Sequence, residues 1–168
     1  MDRHTTVREA QRLIIDRLVH CETALSELYA AYGNAFPESK EFWCALSDDE
    51  QAHAGILNSM HALLDKGDLF YNLGRFDTRF MDASITEART ALTAVNRRPV
   101  SLLQAMTVAL SMETSLLDGH FYEVVTSDAP EFVLMIGKHW EAEKRHMDLL
   151  QQHIVKQQLD QRMQTSLK

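Results

Sequence analysis

Four stretches of this chain carry apolar side chains at alternating steps of three and four, and a glutamate interrupts each stripe once. The first stripe is Ile14, Leu18, Glu22, Leu25, Tyr29 and Tyr32. The second is Trp43, Leu46, Glu50, His53, Leu57, Met60 and Leu64. The third is Leu102, Met106, Leu110, Glu113, Leu117, His120 and Val124, and the fourth is Phe132, Ile136, His139, Glu143, His146 and Leu150. This period places each stripe on one face of a long helix, packed against its neighbours. The chain is therefore expected to be all-α, and every long helix sets one carboxylate where an apolar side chain belongs.

The punctuation agrees with long helices. Pro37, Pro99 and Pro130 are the only prolines, and each lies at or just before a stripe, where the first helical turn tolerates them. Helices are predicted over 6–32, 38–66, 101–126 and 130–163. Thr6 and Glu9 match a capping box, Ser101 is a good N-cap, and Gly33-Asn34 and Gly67 are stop signals. Ser84 and Glu87 match a second capping box, which predicts a short helix over 84–95. Short links make antiparallel neighbours, whereas the connection over 67–99 is long enough to cross the bundle. The expected architecture is a four-helix bundle of two helical hairpins, joined by a long crossover that contains a short helix. Its 168 residues suit a single domain, 1–168, with a core of ordinary size.

Composition narrows the function classes. A net charge of -7 without clustered Lys and Arg argues against nucleic acid as a partner. No run of about 18 apolar residues would span a bilayer, and no apolar N-terminal run marks a signal peptide. Cys21 and Cys44 form no C-x-x-C pair, so a cytoplasmic, reducing compartment is expected.

The chemistry is concentrated in two Glu-x-x-His pairs, Glu50/His53 and Glu143/His146. Each is preceded by a lone stripe glutamate, Glu22 at a gap of 28 residues and Glu113 at a gap of 30. A single Glu-x-x-His on a helix is ordinarily a surface pair. Two of them, each with an upstream glutamate at matched distance, form a repeated three-residue set. Buried carboxylates must be protonated, paired with cationic side chains, or bound to cations. The stripes hold no Lys or Arg, and two divalent ions would neutralise four carboxylates. The imidazoles favour iron, manganese or zinc over magnesium or calcium. Residues three apart share a helix face, so each pair can point into one cavity. The expected metal ligands are Glu22, Glu50, His53, Glu113, Glu143 and His146. In this assignment Glu50 and Glu143 bridge, Glu22 and His53 complete one ion, and Glu113 and His146 complete the other.

Other side chains are weaker candidates. Tyr29 lies two turns after Glu22 on the same face and is the candidate catalytic residue, able to hydrogen-bond a ligand or supply an electron. His120 holds the equivalent place after Glu113. His139, one turn before Glu143, is an optional further ligand, and Asp49 could orient a ligand histidine from an exposed position. Trp43, Trp140 and the methionines read as packing.

Taken together, Glu22 with Tyr29, Glu50-x-x-His53, Glu113 and Glu143-x-x-His146 resemble the ferritin-like superfamily, within it the rubrerythrin and bacterioferritin branches. The resemblance covers nearly the whole chain. It implies a ferritin-like bundle with a non-haem di-iron centre of two iron ions, manganese or zinc being alternatives, in a homodimer or larger assembly. The implied activity is a rubrerythrin-like oxidoreductase that reduces hydrogen peroxide or oxygen with an external electron donor. The alternative is ferritin-like oxidation and storage of ferrous iron, and a scaffold with a structural metal is a third. The chain departs from these branches at several points. It has no rubredoxin segment. Leu116 stands where rubrerythrins carry a further glutamate, Gln51 stands where bacterioferritins carry a haem-binding methionine, and no short fifth helix follows the fourth.

Overall fold

The computed structural model describes residues 3–66, 70–71, 78–118, 125–126 and 130–166. Among the described residues the chain is all-α, apart from one two-residue ladder. Helix α1 spans Arg3–Ala35, a 3-10 turn covers Pro37–Ser39, and α2 spans Lys40–Lys66. Strand β1 is Phe70–Tyr71, α3 is Thr78–Arg97, α4 is Leu102–Asp118, β2 is Val125–Thr126, and α5 is Pro130–Ser166. Phe70 pairs with Thr126 and Tyr71 with Val125, so the strands are antiparallel and link the segment after α2 to the segment after α4.

Helices α1 and α2 run antiparallel, as their contacts show. Gly33 approaches Trp43 and Cys44 at one end, Ser26 meets Ser47 in the middle, and Arg12 pairs with Asp65 at the other. A Cβ on Gly33 would stand 3.5 Å from both Trp43 and Cys44, in ordinary van der Waals contact, so the helices lie close here but with room for an alanine. Helices α4 and α5 are antiparallel as well. Leu102 and Met106 share a cavity wall with His153 and Lys156, and Thr114 reaches Met147. Helix α3 lies against α1, where Arg17 pairs with Asp82 at 3.0 Å.

Local chemistry explains most of the boundaries and corrects some predicted ones. Ser101 caps α4 reciprocally with Gln104: the Gln104 N–H donates to Ser101 Oγ, and the Ser101 N–H donates to Gln104 Oε1. Pro130 opens α5. The predicted capping box at Ser84 is instead internal to α3. That helix begins at Thr78, and Ser84 Oγ donates back to the Phe80 carbonyl at 3.2 Å. Thr6 likewise lies inside α1, which runs through Gly33-Asn34 to Ala35. The third long helix stops at Asp118 among the described residues, and Val125–Thr126 is strand rather than helix end. Gly67, His120 and Val124 lie outside the described residues.

Among the described residues the apolar interior forms two clusters. One gathers Leu25, Leu28, Tyr29, Tyr32, Trp43, Met106, Met112 and Leu150. The other gathers Ile14, Ile15, Leu18, Leu57, Met60, Leu64, Met81 and Ile136. On α1 the clusters occupy positions either side of Glu22, on α2 either side of Glu50 and His53, and on α5 either side of Glu143 and His146. A polar layer therefore divides the core. No helix of the described residues is long and apolar enough to cross a membrane.

Candidate metal centre

All six predicted ligands are buried and meet in this layer, and Glu50, Glu113, Glu143 and His146 are 0% exposed. Their placement follows from the helix pairs. Ser26 Oγ donates to the Ser47 carbonyl and Ser47 Oγ donates to the Ser26 carbonyl, both at 2.9 Å. These reciprocal bonds hold the register of α1 on α2 one turn from Glu22 and Glu50. The three-residue step then turns His53 to the same side as Glu50, and His146 to the same side as Glu143.

Two groups of donors result. Glu22, His53, His139 and Glu143 each offer one atom, all within 4.8 Å of one another. Glu50, Glu113, Glu143 and His146 do the same. Metal–ligand bonds of about 2.0–2.2 Å put donors on opposite sides of one ion about 4.2 Å apart, so a small contraction of either group would enclose a cation. Glu143 belongs to both groups. Glu50 touches the histidine of each Glu-x-x-His pair: His53 Nδ1 lies 3.0 Å from Glu50 Oε2, and His146 Nδ1 lies 2.9 Å from Glu50 Oε1. His53 Nδ1 also lies 2.8 Å from Glu143 Oε1.

These contacts do not satisfy the layer. Among the described residues, both oxygens of Glu143, Oε2 of Glu22, Oε2 of Glu113, Oε1 of Glu50 and Nδ1 of His146 are buried without a well-directed hydrogen bond. Buried polar atoms are nearly always bonded. Atoms that converge at close range without bonding one another are arranged like ligands around a common cation. The buried Glu/His groups can therefore hold a metal ion.

Electrostatics leads to the same reading. Burial, reinforced by the charge of Glu143, pushes the Glu22 carboxyl up to about 8. Burial and the charges of Glu50 and Glu143 hold Glu113 well above the usual carboxylate range. Burial also pushes upward on Glu143, but contacts with His139, His53 and Glu113 outweigh it and leave Glu143 below the usual range. Glu50 is held low in the same way by His146 and His53, against its burial. The imidazoles move in the complementary direction. Burial alone would lower all three, yet Glu143 and Glu50 raise His53 to about 10, Glu143 and Glu22 raise His139 to about 9, and Glu50 raises His146. Without a metal, protons on the histidines, Glu22 and Glu113 supply the balancing charge.

Three neighbours complete the picture. The Tyr29 hydroxyl, fully buried, donates to Glu113 Oε1 at 2.6 Å, so the residue read as catalytic grips a candidate ligand directly. Asp49 Oδ2 accepts from His146 Nε2 at 3.1 Å and from Arg145 at 3.0 Å, although its side chain is 44% exposed. It is both a surface residue and the partner that orients His146. His139, given little weight in the sequence, is 2% exposed and stacks on His53 with centroids 4.1 Å apart. Its Nε2 lies 3.2 Å from Glu143 Oε1 and 3.5 Å from Glu22 Oε1. The four-residue step to Glu143 was the only local signal for it. Leu116 is half-buried against the first apolar cluster and adds no carboxylate.

No family model, curated protein or solved structure matches the chain.

Proposed function

We propose that this chain is a ferritin-like four-helix-bundle protein with a non-haem dinuclear metal centre, an oxidoreductase that reduces hydrogen peroxide or oxygen using electrons from an external donor. The observation that carries the reading is the sharing of Glu143 between two buried donor groups, with Glu50 touching a histidine of each. α1 and α2 form one hairpin of the proposed bundle, α4 and α5 the other, and α3 lies in the crossover. Glu50 and Glu143 are the proposed bridges, Glu22 and His53 serve one ion, and Glu113 and His146 serve the other.

Two iron ions, with manganese as the alternative, would supply the redox chemistry at this centre. The chain's own contribution is geometric and electrostatic. Tyr29 fixes Glu113 through its Oε1 and leaves Oε2 for the ion. Asp49 holds the Nε2 proton of His146, which keeps Nδ1 as the donor turned toward Glu50. The closed layer excludes bulk water and favours a small oxidant over a bulky organic substrate. Assembly as a homodimer belongs to the same proposal.

The test is anaerobic loading with ferrous ion, followed by one equivalent of hydrogen peroxide per chain. Rapid two-electron oxidation, with repeated turnover once a chemical reductant is added, is expected. Chains that load metal but do not react with peroxide or oxygen would contradict the oxidoreductase reading. Soluble particles holding far more than two irons per chain would assign the centre to iron storage instead.

A further inference from the structure

The duplicated ligand set would give each ion one histidine, but the two donor groups are not alike. Glu22, His53, His139 and Glu143 combine two imidazoles with two carboxylates, whereas Glu50, Glu113, Glu143 and His146 combine one imidazole with three; a bridging Glu50 adds a carboxylate to the first and leaves the imidazoles unequal. The difference traces to one position in the repeat. One turn before Glu143 stands His139; one turn before Glu50 stands Leu46, which is buried in the first apolar cluster. His139 thus occupies a core position that its counterpart fills with a hydrophobic side chain. Its Nε2 lies within 3.5 Å of Glu22 and Glu143, and its ring lies nearly parallel to that of His53, at 24°.

We propose that His139 is a seventh metal ligand and that it makes the two ion positions unequal, so that the chain loads in a fixed order. This inference rests on the dinuclear reading above. Imidazole suits the later first-row ions, while carboxylate suits manganese, magnesium and calcium. The position between Glu22, His53, His139 and Glu143 therefore takes the first divalent transition ion and holds it more tightly. The position between Glu50, Glu113, Glu143 and His146 fills second and better tolerates a harder ion such as manganese. Asp49 lies behind His146 alone, so it offers a way to perturb the second position separately.

Cobalt(II) is the probe. Metal-free full-length chain is titrated by calorimetry and visible absorption, and the dicobalt protein is then examined by proton NMR. Two equivalents should bind in steps at least tenfold apart. His139→Leu and His139→Gln should each weaken the first step by tenfold or more while leaving two equivalents bound, and should remove one solvent-exchangeable, hyperfine-shifted imidazole N–H signal. Asp49→Asn should weaken only the second step, by about tenfold. Circular dichroism identifies which His139 variant is folded, and a folded one suffices. If a folded His139 variant keeps both affinities within twofold and retains every shifted N–H signal, His139 is no ligand and the inference fails, with the dinuclear reading intact. A wild-type chain that saturates at one cobalt or none would overturn the dinuclear reading itself, and this inference with it.

Discussion

Leu57 and Glu143 are both fully buried, one in an apolar cluster and the other in the polar layer that adjoins it. Leu57 stabilises the fold by leaving water, and burial alone is sufficient reason for it to be there. Glu143 loses its hydration on burial, and the neighbours that hold its charge are themselves desolvated histidines. Among the described residues, four Glu and three His are buried in this layer. The clusters hold the helices together by a driving force that needs no partner group. The layer between them must balance buried charge, with protons on its histidines and raised carboxyls or with a cation that its donor groups can hold.

The largest expected effect separates the two regions by metal. At a free ion concentration a thousand times the dissociation constant, each occupied position should add about 4 kcal/mol to stability, and each kcal/mol raises the melting temperature of a chain this size by about 2–4 °C. The increment should grow with pH. A group whose folded pKa is raised contributes stability that is complete below its unfolded value and lost as pH climbs through the folded one. Glu22, raised to about 8, therefore loses its contribution between about pH 4.5 and 8. His53 and His139, raised to about 10 and about 9, lose theirs above about pH 6.5. Glu50 and Glu143, held low, weaken the fold only as pH falls through their depressed values. Metal-free chain should thus become less stable from about pH 5 to 10 through this layer, while metal, which replaces the protons, binds more tightly. Thermal melts with and without metal at pH 6 and pH 9 check this, and an increment that shrinks with pH would break the comparison.

Leu57→Ala should cost about 3 kcal/mol through the cavity it leaves, and the loss should be the same with and without metal. A loss that appears only in the metal-free chain would mean that cluster and layer are not independent.

Glu22→Leu should do the reverse. It removes a buried carboxyl of a size leucine can fill, so denaturant melts of the metal-free chain should show a gain of about 1 kcal/mol. The same change should abolish binding at the position Glu22 serves.

Tyr29→Phe should have an equally small effect on stability, a loss of about 1 kcal/mol from the missing hydrogen bond to Glu113. It should weaken one metal position and leave the other unchanged in a binding titration.

Much of this was legible in the chain because helical period and burial agree. Every residue of the stripes read on α1 and α2 is buried, from Ile14 to Tyr32 and from Trp43 to Leu64. On α4 the reading was rotated. Leu102, Leu110 and Leu117 are only half-buried, while Ala105, Ala109 and Met112 fill the inward face beside Met106. Small alanines mark a close helix contact but carry little hydrophobic signal of their own. Helix α3 began earlier than its apparent cap because Ser84 bonds back into the preceding turn, which sequence alone does not distinguish from a cap. His139 and Asp49 were underweighted for a different reason. Their significance lies across helices, His139 toward Glu22 on α1 and Asp49 toward His146 on α5, and periodicity within one helix does not report which neighbour it faces.

The proposed centre binds two ions in one layer through a shared carboxylate. The most direct measurement is metal content per chain after equilibrium dialysis against ferrous or manganous ion, for the wild type and for Glu143→Gln. Two ions per wild-type chain, and none retained by Glu143→Gln, are expected. A wild-type chain that holds one or none, or a Glu143→Gln chain that still holds two, would contradict the proposed centre.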